Sequence, residues 1–213
     1  MTRKAIALLS GGLDSGVAAA QFVADGGSVT HALFFLYGQR AAPREAAASR
    51  ALAQKWGAQW VPIELPWLGE LASHAGSALT DPGRELPRGT AERPGDAASA
   101  AAVWVPARNA VFVAVAAAFA EAHGAECVVA GFNREEAETF PDNSSAFLQA
   151  ATAFLGLGTR SGVAVVSPTL DLDKAGIVAA ARQLGLVQGD FWSCYEAGDQ
   201  PCSTCESCLR SRW

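Results

Sequence analysis

Short apolar runs alternate with Ala-rich stretches along the first part of the chain. Lys4 to Leu9 is an aliphatic run that ends at glycines, which predicts a buried strand. Ser15 to Ala24 follows as a helix, Val29 to Leu36 as a second strand and Arg44 to Trp56 as a second helix. Trp60 to Leu65 is a third strand candidate. After residue 105 the pattern resumes with helices over Ala107 to His123, Ser144 to Leu155 and Lys174 to Leu184. Strands over Glu126 to Gly131 and Val163 to Ser167 separate them. Strands that alternate with helices of about ten residues point to βαβ units, and so to an α/β fold with a doubly wound parallel sheet.

Pro66 to Val105 breaks the rhythm. It carries Pro82, Pro87 and Pro94, several glycines and few large apolar residues after Leu86. It is expected to be a long loop, either a lid over an active site or a disordered excursion. No internal repeat or domain boundary is visible, so residues 1–213 are read as one domain, with 192–213 as a tail within it.

Length and composition support this picture. The 213 residues are enough for one sizeable α/β domain, and 50% are apolar against 17% charged. The formal charge of −5 argues mildly against a large polyanion such as tRNA or DNA as substrate. Met1 to Lys4 is basic, but Ala5 to Ser10 leads into glycines, not a secretory cleavage site. Ala110 to Ala120 is the longest apolar run and is too short to span a bilayer. The default expectation is a cytoplasmic protein with no membrane partner and no nucleic-acid partner.

Two segments carry candidate chemistry. Residues 8 to 16 read Leu8, Leu9, Ser10, Gly11, Gly12, Leu13, Asp14, Ser15, Gly16, between a predicted strand and a predicted helix. That placement aims backbone N–H groups and the positive helix end at one point, which suits a phosphate. The glycines permit close approach, and Ser10 and Ser15 add hydroxyls. Asp14 would repel phosphate unless a metal ion such as Mg2+ lies between them. No Lys follows the glycines, so this is not a Walker loop, nor is it G-x-G-x-x-G.

The second segment holds Cys194, Cys202, Cys205 and Cys208, spaced C-x7-C-x2-C-x2-C. Four thiolates with no open position describe a structural Zn2+ site, which would fold the tail and take no part in chemistry. A redox dithiol is the competing reading. Cys127, in an apolar run, reads as a core residue.

The Ser-Gly-Gly-x-Asp-Ser string resembles the PP-loop of N-type ATP pyrophosphatases, which bind the pyrophosphate of ATP and transfer AMP. Further motifs resemble the 7-cyano-7-deazaguanine synthase family across almost the whole chain. They are Tyr37-Gly38-Gln39-Arg40, Val105-Pro106-Ala107-Arg108-Asn109, Gly131-Phe132-Asn133, Phe140-Pro141-Asp142, Ser167-Pro168-Thr169-Leu170 with Lys174, and the Cys-rich end closing in Leu209-Arg210. The resemblance implies an adenine-nucleotide-α-hydrolase-like fold and a homodimer. It implies a carbon–nitrogen ligase that adenylates 7-carboxy-7-deazaguanine with ATP, admits ammonia to give an amide, and spends a second ATP to reach the nitrile.

On the matching positions, residues 8 to 16 would hold ATP, with Asp14, Arg108 and Lys174 in catalytic roles. Gln39, Asn109, Asn133 and Asp142 would orient substrate or metal, with capping or turn duty as the competing reading; Glu135 and Glu136 would bind magnesium or the guanine-like edge of the base, with exposed loop carboxylates as the competing reading. Asn143 and Ser144 stand where the commoner family pattern has Cys and Arg. That departure leaves open a related acid as substrate, or a reaction that stops at the amide. Outside this family, the competing classes are another adenylating PP-loop enzyme, tRNA-thiolating or amide-forming, and a binding protein that has lost catalysis. The missing RNA-binding domain argues against a tRNA enzyme, and the intact loop argues against a dead site.

Overall fold

The computed structural model describes residues 2–90, 95–211 and 213. Met1 and Pro94, both used in the sequence reading, lie outside them. Five strands form one parallel sheet in the order β3-β2-β1-β4-β5. They are β1 (Lys4–Leu8), β2 (Ser28–Leu36), β3 (Gln59–Glu64), β4 (Cys127–Val129) and β5 (Ala164–Val166). The helices between and after them are α1 (Leu13–Ala24), α2 (Ala42–Lys55), α3 (Pro66–His74), α4 (Ala97–Ala102), α5 (Arg108–His123), α6 (Arg134–Ala137), α7 (Ser145–Gly158), α8 (Lys174–Gln183) and α9 (Glu206–Arg210). The doubly wound α/β expectation is met.

The sheet is covered on both faces, which is why its strands read as continuous apolar runs. Ala5, Ala7, Leu9 and Ala32 face α1, α2 and α8. Small strand residues let Ala18 and Ala19 of α1 pack at 0% exposure. Ile6, Leu33, Phe35 and Val128 turn to the other side, against α3, α5 and α7. Cys127 lies in that central sheet at 0% exposure, a core residue as expected.

Strand order fixes where a ligand fits. The chain runs from β1 outward to β2 and β3, then crosses to β4 and β5 on the other side of β1. The crevice at the carboxyl ends of β1 and β4 is the switch point where such sheets bind ligands. Two glycines shape it. Gly11, at φ 85°, passes so close to α2 that a Cβ would lie 2.3 Å from the Glu45 carbonyl oxygen. A Cβ on Gly131, just after β4, would lie 2.5 Å from the Ser15 backbone nitrogen.

The stretch from 66 to 105 differs from the long loop read from the sequence. Pro66 opens α3 instead of breaking a chain, because proline lacks only an N–H that a first helical turn leaves unpaired. Asp96 caps α4, accepting from the N–H groups of Ala98 and Ser99. Ala78, Leu79, Leu86, Val103 and Val105 enter the core. Backbone bonds from Ala78 to Ala102 and from Gly89 to Thr204 fasten the stretch to itself and to the Cys-rich tail.

Gly131→Ala is expected to lower unfolding free energy by about 1–3 kcal/mol, because backbone atoms on both sides must shift. Gly156→Ala, in exposed helix with nothing within 4 Å, should raise it by about 0.5–1 kcal/mol. Urea unfolding of the two variants checks both signs.

Candidate active site and metal site

A cavity of about 270 Å3 opens at the switch point. Its floor is the turn from β1 into α1. Ser10 and Ser15 clamp that turn: their hydroxyl oxygens lie 2.9 Å apart, and Ser15 Oγ accepts from the Ser10 N–H at 3.2 Å. Gly12 caps α1 in an extended conformation, and no side chain closes the helix end. The first-turn N–H groups and the helix dipole are therefore left for an anion.

Beside the loop, Lys174 reaches in from the first position of α8. Its ammonium pairs with Asp14 Oδ2 at 2.6 Å and Glu136 Oε1 at 3.0 Å. Burial works against that charge, but Asp14 and Glu136 outweigh it and hold the ammonium above its ordinary range. Asp14 is pushed up by burial, and the neighbouring Glu136 and Glu135 add to this against the pull of Lys174. Lys174 stays charged, and the acids around it exceed it. Asp14 Oδ1 is buried and has no hydrogen-bond partner. That orphaned oxygen, in a locally acid-rich corner beside a phosphate-shaped loop, fits a divalent cation.

The opposite wall comes from α5 and the end of β2. Ala107, at φ 53°, turns the chain in a left-handed step that costs about 1–2 kcal/mol, and Arg108 follows as the first residue of α5. Arg108 Nη1 donates to Tyr37 Oη at 3.5 Å. Burial opposes its charge, while Tyr37, Asp142 and Tyr195 hold it in place. Phe35 and Phe112 stack with ring centres 4.0 Å apart. Gln39 braces the turn after β2: its amide donates to the Phe35 carbonyl at 2.9 Å and to Glu45 Oε2 at 3.1 Å. Burial pushes the Glu45 carboxyl up to about 7, despite Gln39 and Arg108.

The structure brings most of the sequence-predicted residues together. Leu8, Leu9, Ser10, Gly12, Leu13, Asp14 and Ser15 line the cavity, as do Gln39, Arg108, Asn109, Glu136 and Lys174. Gly11 and Gly16 shape it from behind, against α2 and the Phe191 ring. Asn133 and Asp142 are not among the lining residues. Asn133 Oδ1 caps α6 through the Glu136 N–H at 2.9 Å, and the Asp142 carbonyl accepts from Asn109 Nδ2 at 3.2 Å. Asn143 does line the cavity, while Ser144 caps α7. None of the described residues from 66 to 105 lines it.

Sequence reasoning missed Glu45 and one whole wall. Glu45 sits in the first turn of α2, where an acid reads simply as a complement to the helix dipole. Trp192, Ser193, Tyr195, Ser207 and Ser211 come from the Cys-rich tail. Only the place of Tyr195 beside Cys194 hinted at this. The tail is anchored to the loop by the Trp192 N–H, which donates to the Gly11 carbonyl at 2.9 Å.

The four tail cysteines converge, their sulfurs all within 4.8 Å of one another. Cys194 Sγ accepts from the N–H groups of Glu196 and Cys202, and Cys202 Sγ from that of Cys205. Such donors stabilise thiolate charge, so the cluster fits a thiophilic metal ion.

The chain matches the family described as Queuosine biosynthesis protein QueC over residues 4–212. It is 49% identical to a 7-cyano-7-deazaguanine synthase of Desulforudis audaxviator over 212 residues, 97% of this chain and 94% of that one. It is 46% identical to the synthase of the same name from Pelotomaculum thermopropionicum over 211 residues, again 97% and 94%. Among solved structures it resembles the NMN synthetase of Francisella tularensis, with TM-score 0.51 and 17% identity, over 95% of this chain and 71% of that one. That likeness is one of fold alone. With the family matched over residues 4–212 and relatives alike over nearly their whole length, the chain belongs to the QueC family of queuosine biosynthesis proteins.

Proposed function

We propose that the protein converts 7-carboxy-7-deazaguanine and ammonia to 7-cyano-7-deazaguanine at the expense of two ATP. The observation that carries this reading is the buried Asp14–Lys174–Glu136 group at the open end of α1, facing Arg108 across one cavity. In the first half-reaction, a carboxylate oxygen of the acid attacks the α-phosphorus and pyrophosphate leaves. Ammonia then adds to the acyl carbon, loses a proton and expels AMP, giving the amide. In the second, the amide oxygen attacks the α-phosphorus of another ATP and pyrophosphate leaves. Loss of AMP and the remaining N–H protons leaves the nitrile.

The protein's part is alignment and charge. The α1 end and the hydroxyls of Ser10 and Ser15 hold the departing pyrophosphate. Lys174 neutralises it. Arg108, a buried cation on the far wall, orients the acid or its adenylate. Asp14 and Glu136 would hold magnesium, which supplies charge neutralisation to the phosphates when bound. Phe112 and Phe132 offer flat apolar walls to a deazapurine, and Asn143 a polar edge. The tail cysteines would hold one zinc. Sulfurs bonded to one ion at about 2.3 Å lie about 3.8 Å apart, a separation that suits this cluster. Homodimerisation and a cytoplasmic location follow from the resemblance as further parts of the proposal.

One observation favours a second reading, an amide-forming enzyme or one acting on a related acid. Asn143, not the Cys of the commoner pattern, is on the cavity wall. The deciding assay gives the protein ATP, magnesium, ammonium and 7-carboxy-7-deazaguanine. AMP, pyrophosphate and nitrile are expected. AMP with amide alone would favour the second reading, and ADP would exclude adenylation altogether.

Lys174→Met should lower AMP formation at least ~100-fold, as removal of a charge aimed at a transition state does. The purified chain is expected to hold one zinc by elemental analysis. Stripping that metal should lower the melting temperature and weaken ATP binding together, because the tail forms a cavity wall. Iron in place of zinc, or ATP binding untouched by metal removal, would overturn that assignment.

A further inference from the structure

Arg210 lies two residues beyond the last tail cysteine, yet it ends beside the phosphate site. Its Nη1 bonds Glu135 Oε1 at 2.7 Å and its Nε bonds Glu206 Oε1 at 2.9 Å. Glu206 is 4% exposed. Its other oxygen accepts from Ser99 Oγ of α4 at 2.9 Å. Room for that carboxylate exists because residue 95 is glycine: a Cβ there would lie 2.2 Å from the Glu206 carboxyl carbon. The second oxygen of Glu135 accepts from the Lys174 N–H at 3.1 Å. Lys174 Nζ in turn holds Asp14 and Glu136.

Two carboxylates hold the ammonium, and Glu135, bonded to the same residue's backbone N–H and close enough to act on Asp14, is a third acid that would compete with ATP phosphates for it if left unpaired. α6 spans only four residues, too short to hold its own place. Arg210 is the cation that occupies Glu135 from outside the cavity. We propose that Arg210 is a positioning residue: by binding Glu135, the Cys-rich tail keeps the charge of Lys174 free for the nucleotide phosphates. The tail then serves the nucleotide site electrically as well as by shape. This rests on the nucleotide part of the proposed function and not on the identity of the acid.

The test measures Mg-ATP binding to the full-length, metal-loaded chain by calorimetry, without the acid. Arg210→Met should weaken binding about tenfold with metal content unchanged, and the loss should shrink at high salt. Adding Glu135→Gln should recover most of the affinity, since Gln still accepts the Lys174 N–H and brings no charge. Glu135→Gln alone leaves the tail intact and should bind ATP at least as tightly as wild type. Unchanged binding in Arg210→Met, no recovery in the double variant, or weakened binding in Glu135→Gln would each overturn the proposal. Wild type that binds ATP but turns over no deazapurine acid would sink the substrate assignment alone. Wild type that binds no ATP would overturn this inference.

Discussion

A single ammonium shared between Asp14 and Glu136 holds the site together. Lys174 comes from α8, Asp14 from α1 and Glu136 from α6, so three elements distant in sequence meet at one buried charge. A pair taken out of water must be fully compensated or it costs several kcal/mol. Here the compensation is incomplete by design of the cluster: Asp14 keeps one buried oxygen without a partner, and the acids outnumber the amine. Under the proposed function, a cation and phosphate together would complete this cluster.

Close backbone approach supplies the geometry for that charge. Gly11 against α2 and Gly131 against α1 bring strand ends and helix start within reach of one anion. The hydrophobic layers set this up from below, with alanines in β1 allowing α1 to sit low on the sheet. The tail completes it from above, through the Trp192–Gly11 bond and through Tyr195, Ser207 and Ser211. A cysteine cluster far from the loop in sequence is therefore carried by the segment that walls the same cavity, though no cysteine lines it.

The chain's own pattern carried much of this. The strands and the long helices stand within a few residues of the positions read from apolar runs, since period and burial on two faces are local signals. The loop at 10 to 15 was legible because strand, glycines and helix start are contiguous. The cysteines were legible because x2 spacing is itself a turn constraint. The 66–105 stretch was not. Its prolines mark breaks in either structure, and Pro66 at a helix start looks the same as Pro66 in a loop. Its burial depends on packing into the core beside the sheet, and Gly89 and Arg88 are held by Thr204 and Cys205, which no local pattern reveals.

Sequence alone determined the fold class, the glycine turn between β1 and α1 and the cluster of four cysteines, because each is written in residues a few positions apart. Tertiary structure decided which charges matter. The sequence marks Arg108 and Lys174 only through the family resemblance and leaves Asn133 as substrate contact or cap; packing makes the first two buried walls of one cavity and the third a helix cap. Glu45 and the tail wall became visible only when strand order 3-2-1-4-5 brought α2, α5 and the C-terminal segment to the same sheet edge. The physical reason is range. Turns, caps and metal knuckles are built from neighbours in the chain, whereas burial and electrostatic pairing depend on which distant segments the sheet brings side by side.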